Sequence, residues 1–170
     1  MNVKFKVGEK VIYPNHGIAL IEEITQHTIE GKEKLFYSLR VLANNSLVMV
    51  PTANVKSVGL RNIISKRDVS KLYKILRNGN IETSSNWKGR FKENSTRMQS
   101  GSIYEAAEVL KCLFYLSQQK PLSYREKRMM ERAKYLIVSE IAEVKKQPME
   151  KVEEKIEKAL NASLRLMTEH

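Results

Sequence analysis

Three serines from residue 65 onward each stand three residues ahead of an acid, in "SKRD" (Ser65 to Asp68), "SIYE" (Ser102 to Glu105) and "SYRE" (Ser123 to Glu126). At that spacing the hydroxyl accepts from a backbone N–H of the first helical turn while the acid reaches back, so each triplet marks a helix start. Pro121 and Pro148 fit helix entry positions. Apolar residues then recur at helical period, Leu72, Ile75 and Leu76 on one face and Leu136, Ile137, Ile141 and Val144 on another. The pattern predicts helices over about 66–77, 86–98, 103–118, 123–146 and 148–166. The last of them carries "EKVEEKIEKAL", acids and lysines that pair across turns on a solvent face.

Before residue 60 the period is different. "GEKVIYP", "GIALIEEITQHTI", "KLFYSLRVL" and "SLVMVP" carry Val, Ile, Tyr and Leu in partial alternation. Gly17, Gly31 and the pair Asn44 and Asn45 supply the turn positions between them. Such spacing predicts a small, bent antiparallel sheet whose open edge can add a strand from a partner. The expected class is therefore α+β: a β domain over 1–60, then a compact helical bundle of about five helices over 61–170.

Charge follows the same division. The net charge is +11, with seven cations against five acids in residues 1–60, seventeen against seven in 61–134, and six against seven in 135–170. A polyanion would be met by the middle segment, where Lys and Arg displace the counterions of phosphates. A solvated basic surface is the plainer reading of the same run. The single Cys112, in "AAEVLKCLFYL", has no partner for a disulfide or a zinc site and reads as a small buried hydrophobe. No apolar run spans a bilayer, and Lys4, Lys6, Glu9 and Lys10 break any secretion signal, which predicts a cytoplasmic or nucleoid protein without a membrane partner.

Two clusters stand out within the basic segment. In "SSNWKGRFKEN" the only tryptophan, Trp87, is set among Lys88, Arg90 and Lys92, at the first turn of a helix capped by Asn86. Phe91 and Met98 share its face and are expected to anchor the helix, with Trp87 either the outermost member of that apolar face or an outward wedge. A helix N-terminus favours phosphate, and a ring there can enter a groove or unstack a base step. In "SYREKRMMERAK", Arg125, Arg128 and Arg132 recur at i, i+3 and i+7, bordered by Lys127 and Lys134, so several cations can follow one phosphate strand. Catalytic signatures are missing: His16, His27 and His170 have no metal-like spacing, and no phosphate-loop, dinucleotide or serine-hydrolase pattern occurs. Neither an enzyme nor a cofactor or metal is expected.

"FKVGEKVIYPNHGIALIEEI", "YSLRV" and "VMVP", followed by "NWKGRFKEN", "GSIYEAAEVLKCL" and "LSYREKRMMERAKYLIVSEIA", resemble the CarD/CdnL transcription regulators over essentially the whole chain. The resemblance implies a Tudor-like N-terminal domain that binds the β subunit of bacterial RNA polymerase by an edge strand. It also implies a helical domain that touches promoter DNA without sequence specificity, in the minor groove at the upstream fork of the bubble, and stabilises the open complex. Trp87 matches the family's wedge, and Arg90, Lys92 and Lys127 match its DNA-facing cations. His27 and Met49 stand where relatives often carry polymerase-facing arginines, and Gly89 where they carry a basic residue, so the polymerase contact is expected to differ in detail. A monomer is expected. The competing class is a basic nucleoid-associated or RNA-binding protein that acts independently of polymerase.

Overall fold

The computed structural model describes residues 4–81 and 87–168, and the side chains of residues 89–167 in its second stretch. The chain forms two compact units, residues 1–63 and 64–170.

The first unit is a five-stranded antiparallel sheet in the order β4-β3-β2-β1-β5, built from β1 (Lys10–Tyr13), β2 (Gly17–Ile29), β3 (Lys32–Val41), β4 (Ser46–Pro51) and β5 (Arg61–Asn62). Glu30 and Gly31 join β2 to β3 with φ of 53° and 76°, the positive pair that a two-residue hairpin turn requires. Asn45 at φ 60° turns the chain from β3 into β4. The register of β2 on β3 shifts between Ile21 and Glu23, a bulge at Glu22 that bends the long strand. A 3₁₀ turn (Thr52–Asn54) and the short α1 (Val55–Val58) bring the chain back to β5, whose Arg61 and Asn62 pair with Ile12 and Val11 of β1. That pairing extends the strand unit a few residues past the expected change at residue 60.

Alternation buries one face of this sheet. Val11, Ala19, Ile21, Tyr37, Leu39 and Val50 form its core with Phe5, Val55 and Leu60. Tyr37 is wholly buried, and its hydroxyl accepts from the Phe5 backbone N–H at 3.0 Å, which satisfies the one polar atom that the ring takes inside.

The second unit is helical: α2 (Lys66–Arg77), α3 (Trp87–Gln99), α4 (Ile103–Ser117), α5 (Tyr124–Lys145) and α6 (Met149–Thr168). All three serines cap as the sequence requires. Ser65 closes a full capping box with Asp68, while Ser102 and Ser123 accept from the backbone N–H of Glu105 and Glu126. These hydrogen bonds hold the Asp68 carboxyl below the ordinary value, the Ser65 hydroxyl first and its backbone N–H next.

Helix α4 lies at the centre, with Ala107, Val109, Leu110 and Leu113 buried against Leu72 and Leu76 of α2, Ile137 and Ile141 of α5, and Ile156 of α6. Cys112 is among these buried residues. One lysine is also inside. Lys111 is 1% exposed, and its Nζ donates to the Ile75 carbonyl at 3.0 Å and to Asn78 Oδ1 at 2.6 Å, with Glu108 at 3.7 Å. It closes the C-terminal end of α2, and burial holds its pKa below the ordinary lysine value in spite of Glu108. Among the described residues no helix is long and apolar enough to cross a membrane.

Candidate nucleic-acid and protein interfaces

The second helix of the bundle, α3, is anchored differently from its neighbours. Its inward stripe is Arg90, Asn94 and Met98, at i, i+4 and i+8, and all three are buried. Arg90 is 5% exposed and donates through Nη2 to Glu126 Oε2 at 3.1 Å. Asn94 Nδ2 lies 3.9 Å from the sulfur of Cys112 on α4. The guanidinium is therefore not presented to solvent, and the expectation that Arg90 faces DNA as a surface cation is corrected. Burial of a charge is tolerated because a second charge meets it, and Glu126 is fixed for that role by its place in the capping sequence of α5. Arg90 Nε has no hydrogen-bond partner among the described residues.

Phe91, one residue round the helix, is only half-buried. The guanidinium of Arg125 lies 4.3 Å from its ring centroid. Of the two expected anchors, Met98 is buried and Phe91 instead sits beneath a cation at the surface. Trp87 opens α3, but its side chain and that of Lys88 lie outside the described ones, and so do the expectations that rest on them.

The start of α5 carries the exposed positive charge. Arg125, Lys127 and Arg128 are all exposed, as is Lys92 on α3. The side chains of Lys92 and Lys127 have no partner among the described residues. Arg128 lies over the ring of Tyr124, 5.7 Å from its centroid, with Nη1 3.3 Å from the hydroxyl. Cations at a helix N-terminus oppose the macrodipole, which favours acids there. The only acid in that turn, Glu126, is buried against Arg90 and cannot neutralise them from the surface. Lys134, which borders the stripe, is taken up elsewhere: its Nζ bridges Glu153 at 2.7 Å and Glu157 at 3.3 Å on α6. Burial works against its charged form, and the two carboxylates more than offset that and raise its pKa. A further basic face, which motif spacing did not pick out, runs along α2 through Lys66, Arg67, Lys71, Lys74 and Arg77, all exposed. The charge excess of the middle segment was the signal for it.

The β unit offers a different surface. Strand register puts His27, Phe36, Ser38, Met49 and Leu47 on the face opposite the core. Met49 and Leu47 are exposed on β4, one of the two outer strands of the sheet. His27 is exposed on the far arm of the hairpin, its ring edge-on to Phe36 at 5.3 Å and 3.0 Å from the Thr25 hydroxyl. Arg40 on the same face is held at 3.0 Å by Glu22, which lies two residues past Leu20, the partner of Arg40 across the ladder.

Two family models match the chain. The CarD-like/TRCF RID domain covers residues 5–64, and the C-terminal domain of CarD covers residues 71–157. A putative transcription factor of Bacillus subtilis, YdeB, is 29% identical over 141 residues, which span 83% of this chain and 92% of that protein. A solved structure described as CdnLNt from Myxococcus xanthus is 41% identical, covers 39% of this chain and 93% of its own, and aligns with a TM-score of 0.33. With one matched domain on each side of the boundary between the two units, the chain belongs to the CarD/CdnL family of transcription regulators.

Proposed function

We propose that this regulator holds bacterial RNA polymerase through its β unit and promoter DNA through its helical unit, and that it slows closure of the melted promoter. The observation that carries the DNA half is the unneutralised charge at the start of α5. Arg125, Lys127 and Arg128 stand exposed at the helix end where the dipole disfavours them, with their one acid withdrawn into a buried pair. A cluster of cations that breaks the charge preference of a helix start is expected at a functional site. Phosphate contacts of this kind position a protein without reading bases. Lys92 belongs to the same surface reading and Arg90 does not.

The polymerase half is supported by the edge strand β4, with Leu47 and Met49 exposed beside a row of unpaired backbone groups, and by the match of this unit to the CarD-like/TRCF RID domain. A strand of the β subunit added to that edge would cover both side chains. Trp87, at the first turn of α3, is the wedge of this reading: stacked on a weakened base step, it would hold the fork open.

The test is the lifetime of the open complex on a defined promoter, with and without the protein. A longer lifetime in its presence, abolished by Trp87→Ala or Lys127→Ala and by Met49→Glu, supports the reading. An unchanged lifetime would overturn it and favour a nucleoid or RNA-binding role.

A further inference from the structure

Tyr124 is the first residue of α5 and the most exposed large side chain with an apolar body among the described residues, at 71%. Its close neighbour is Arg128, a turn later, whose guanidinium lies 5.7 Å from the ring centroid and 3.3 Å from the hydroxyl. A guanidinium so placed covers at most one side of the ring, so the exposure leaves the other side open. The adjacent residue, Arg125, makes a second pair of the same kind with Phe91. Two ring–guanidinium pairs thus involve the first turns of α5, one of them reaching Phe91 of α3, with Lys127 exposed between the arginines in sequence. The buried Arg90–Glu126 bridge ties those two helix ends together and gives the cluster a rigid base.

An open ring face beside cations that lack acidic partners among the described residues is what an unpaired nucleobase requires: a surface to stack on and charge for the phosphates on either side of it. A fully paired duplex hides its base faces and would use the cations alone. We infer that Tyr124 is a stacking platform for an unpaired nucleotide, with Arg128 holding the ring and Lys127 meeting the backbone. This assignment deepens the DNA half of the function proposed above, on which it rests.

The experiment uses the full chain and two DNA probes at low salt, a forked duplex with unpaired nucleotides at the junction and a fully paired duplex of the same length. Tyr124→Ala is expected to weaken fork binding by about 5- to 150-fold, the range that removal of one stacked base gives, and to leave duplex binding unchanged. Tyr124→Phe keeps the ring without the hydroxyl, and is expected to bind the fork as the wild type does. Since the side chain is exposed, the thermal transition of Tyr124→Ala should match that of the wild type. The proposal is overturned if Tyr124→Ala keeps wild-type fork binding while Lys127→Ala weakens both probes, an outcome that spares the charged surface. It is also overturned if Tyr124→Ala spares the fork and weakens retention on polymerase, since the ring is then a protein contact. If neither Tyr124→Ala nor Lys127→Ala changes either affinity, the charged-surface reading itself fails and Tyr124 falls with it.

Discussion

Helices α3 and α4 are neighbours of similar length held by opposite chemistry. Helix α4 buries Ala107, Val109, Leu110 and Leu113, groups that need only volume and shape. Helix α3 buries Arg90, Asn94 and Met98, and ion pairs tie it to its neighbours, the buried Arg90 with Glu126 of α5 and the more exposed Arg97 with Glu105 of α4 at 3.4 Å. Apolar burial is non-directional and tolerates small shifts, whereas a buried pair is stabilising only at one geometry and strongly destabilising when halved. Helix α3 is thus oriented more than it is glued. Its first turn, which carries Trp87, is set relative to α5 by the Arg90–Glu126 bridge.

The most severe challenge to this contrast is Arg90→Ala, which leaves Glu126 buried without its partner and should destabilise the helical unit by about 3–5 kcal/mol in urea melts. The double variant Arg90→Met with Glu126→Leu removes both charges and should recover most of that deficit, which a merely bulky side chain would not explain. On the α4 side Leu110→Ala should cost about 2–5 kcal/mol through the cavity it leaves, and no second substitution at a charged site should rescue it. Phe91→Ala is milder than either, since removing a half-buried ring under Arg125 should cost about 1–2 kcal/mol of packing and cation attraction.

A pH series separates the lysines. In Lys111 the folded-state pKa is lowered by burial, so between that value and the ordinary lysine value the unfolded chain binds more protons and stability rises with pH. Relative to Lys111→Met, the wild type should therefore gain stability as pH is raised toward about 10.4, the unperturbed lysine value. Lys134 runs the other way: its pKa is raised, so its contribution is present below the unfolded value and fades as pH climbs through the folded one. The smallest stability effect belongs to Lys127→Ala, within about 0.5 kcal/mol of wild type because the side chain is exposed and unpaired among the described residues.

Much of this fold was legible in the sequence. The three serine caps set the starts of α2, α4 and α5, because a cap is a local arrangement between residues three apart that no tertiary contact need supply. The turn at Gly31 was legible for the same reason. What escaped were features set by distant partners. Arg90 and Phe91 differ by about 100° round a helix, and periodicity alone gave the inward place to the aromatic ring. Only the partner, Glu126, thirty-six residues on, decides for Arg90, though the recurrence of Arg90, Asn94 and Met98 at four-residue steps was a signal. The bulge at Glu22 is likewise a property of paired strands, as is β5, which at two residues is too short to announce itself.

The division between a structural arginine and surface lysines is tested most directly by the slope of log affinity for duplex DNA against log salt, measured for the full chain and for Lys92→Ala combined with Lys127→Ala. Each lysine that meets a phosphate adds about one to the magnitude of that slope, so the double variant should fall by about two with its melting temperature unchanged. A slope equal to that of the wild type would mean that the lysines exposed on α3 and α5 meet no phosphate, and the surface they form would then have no part in holding DNA.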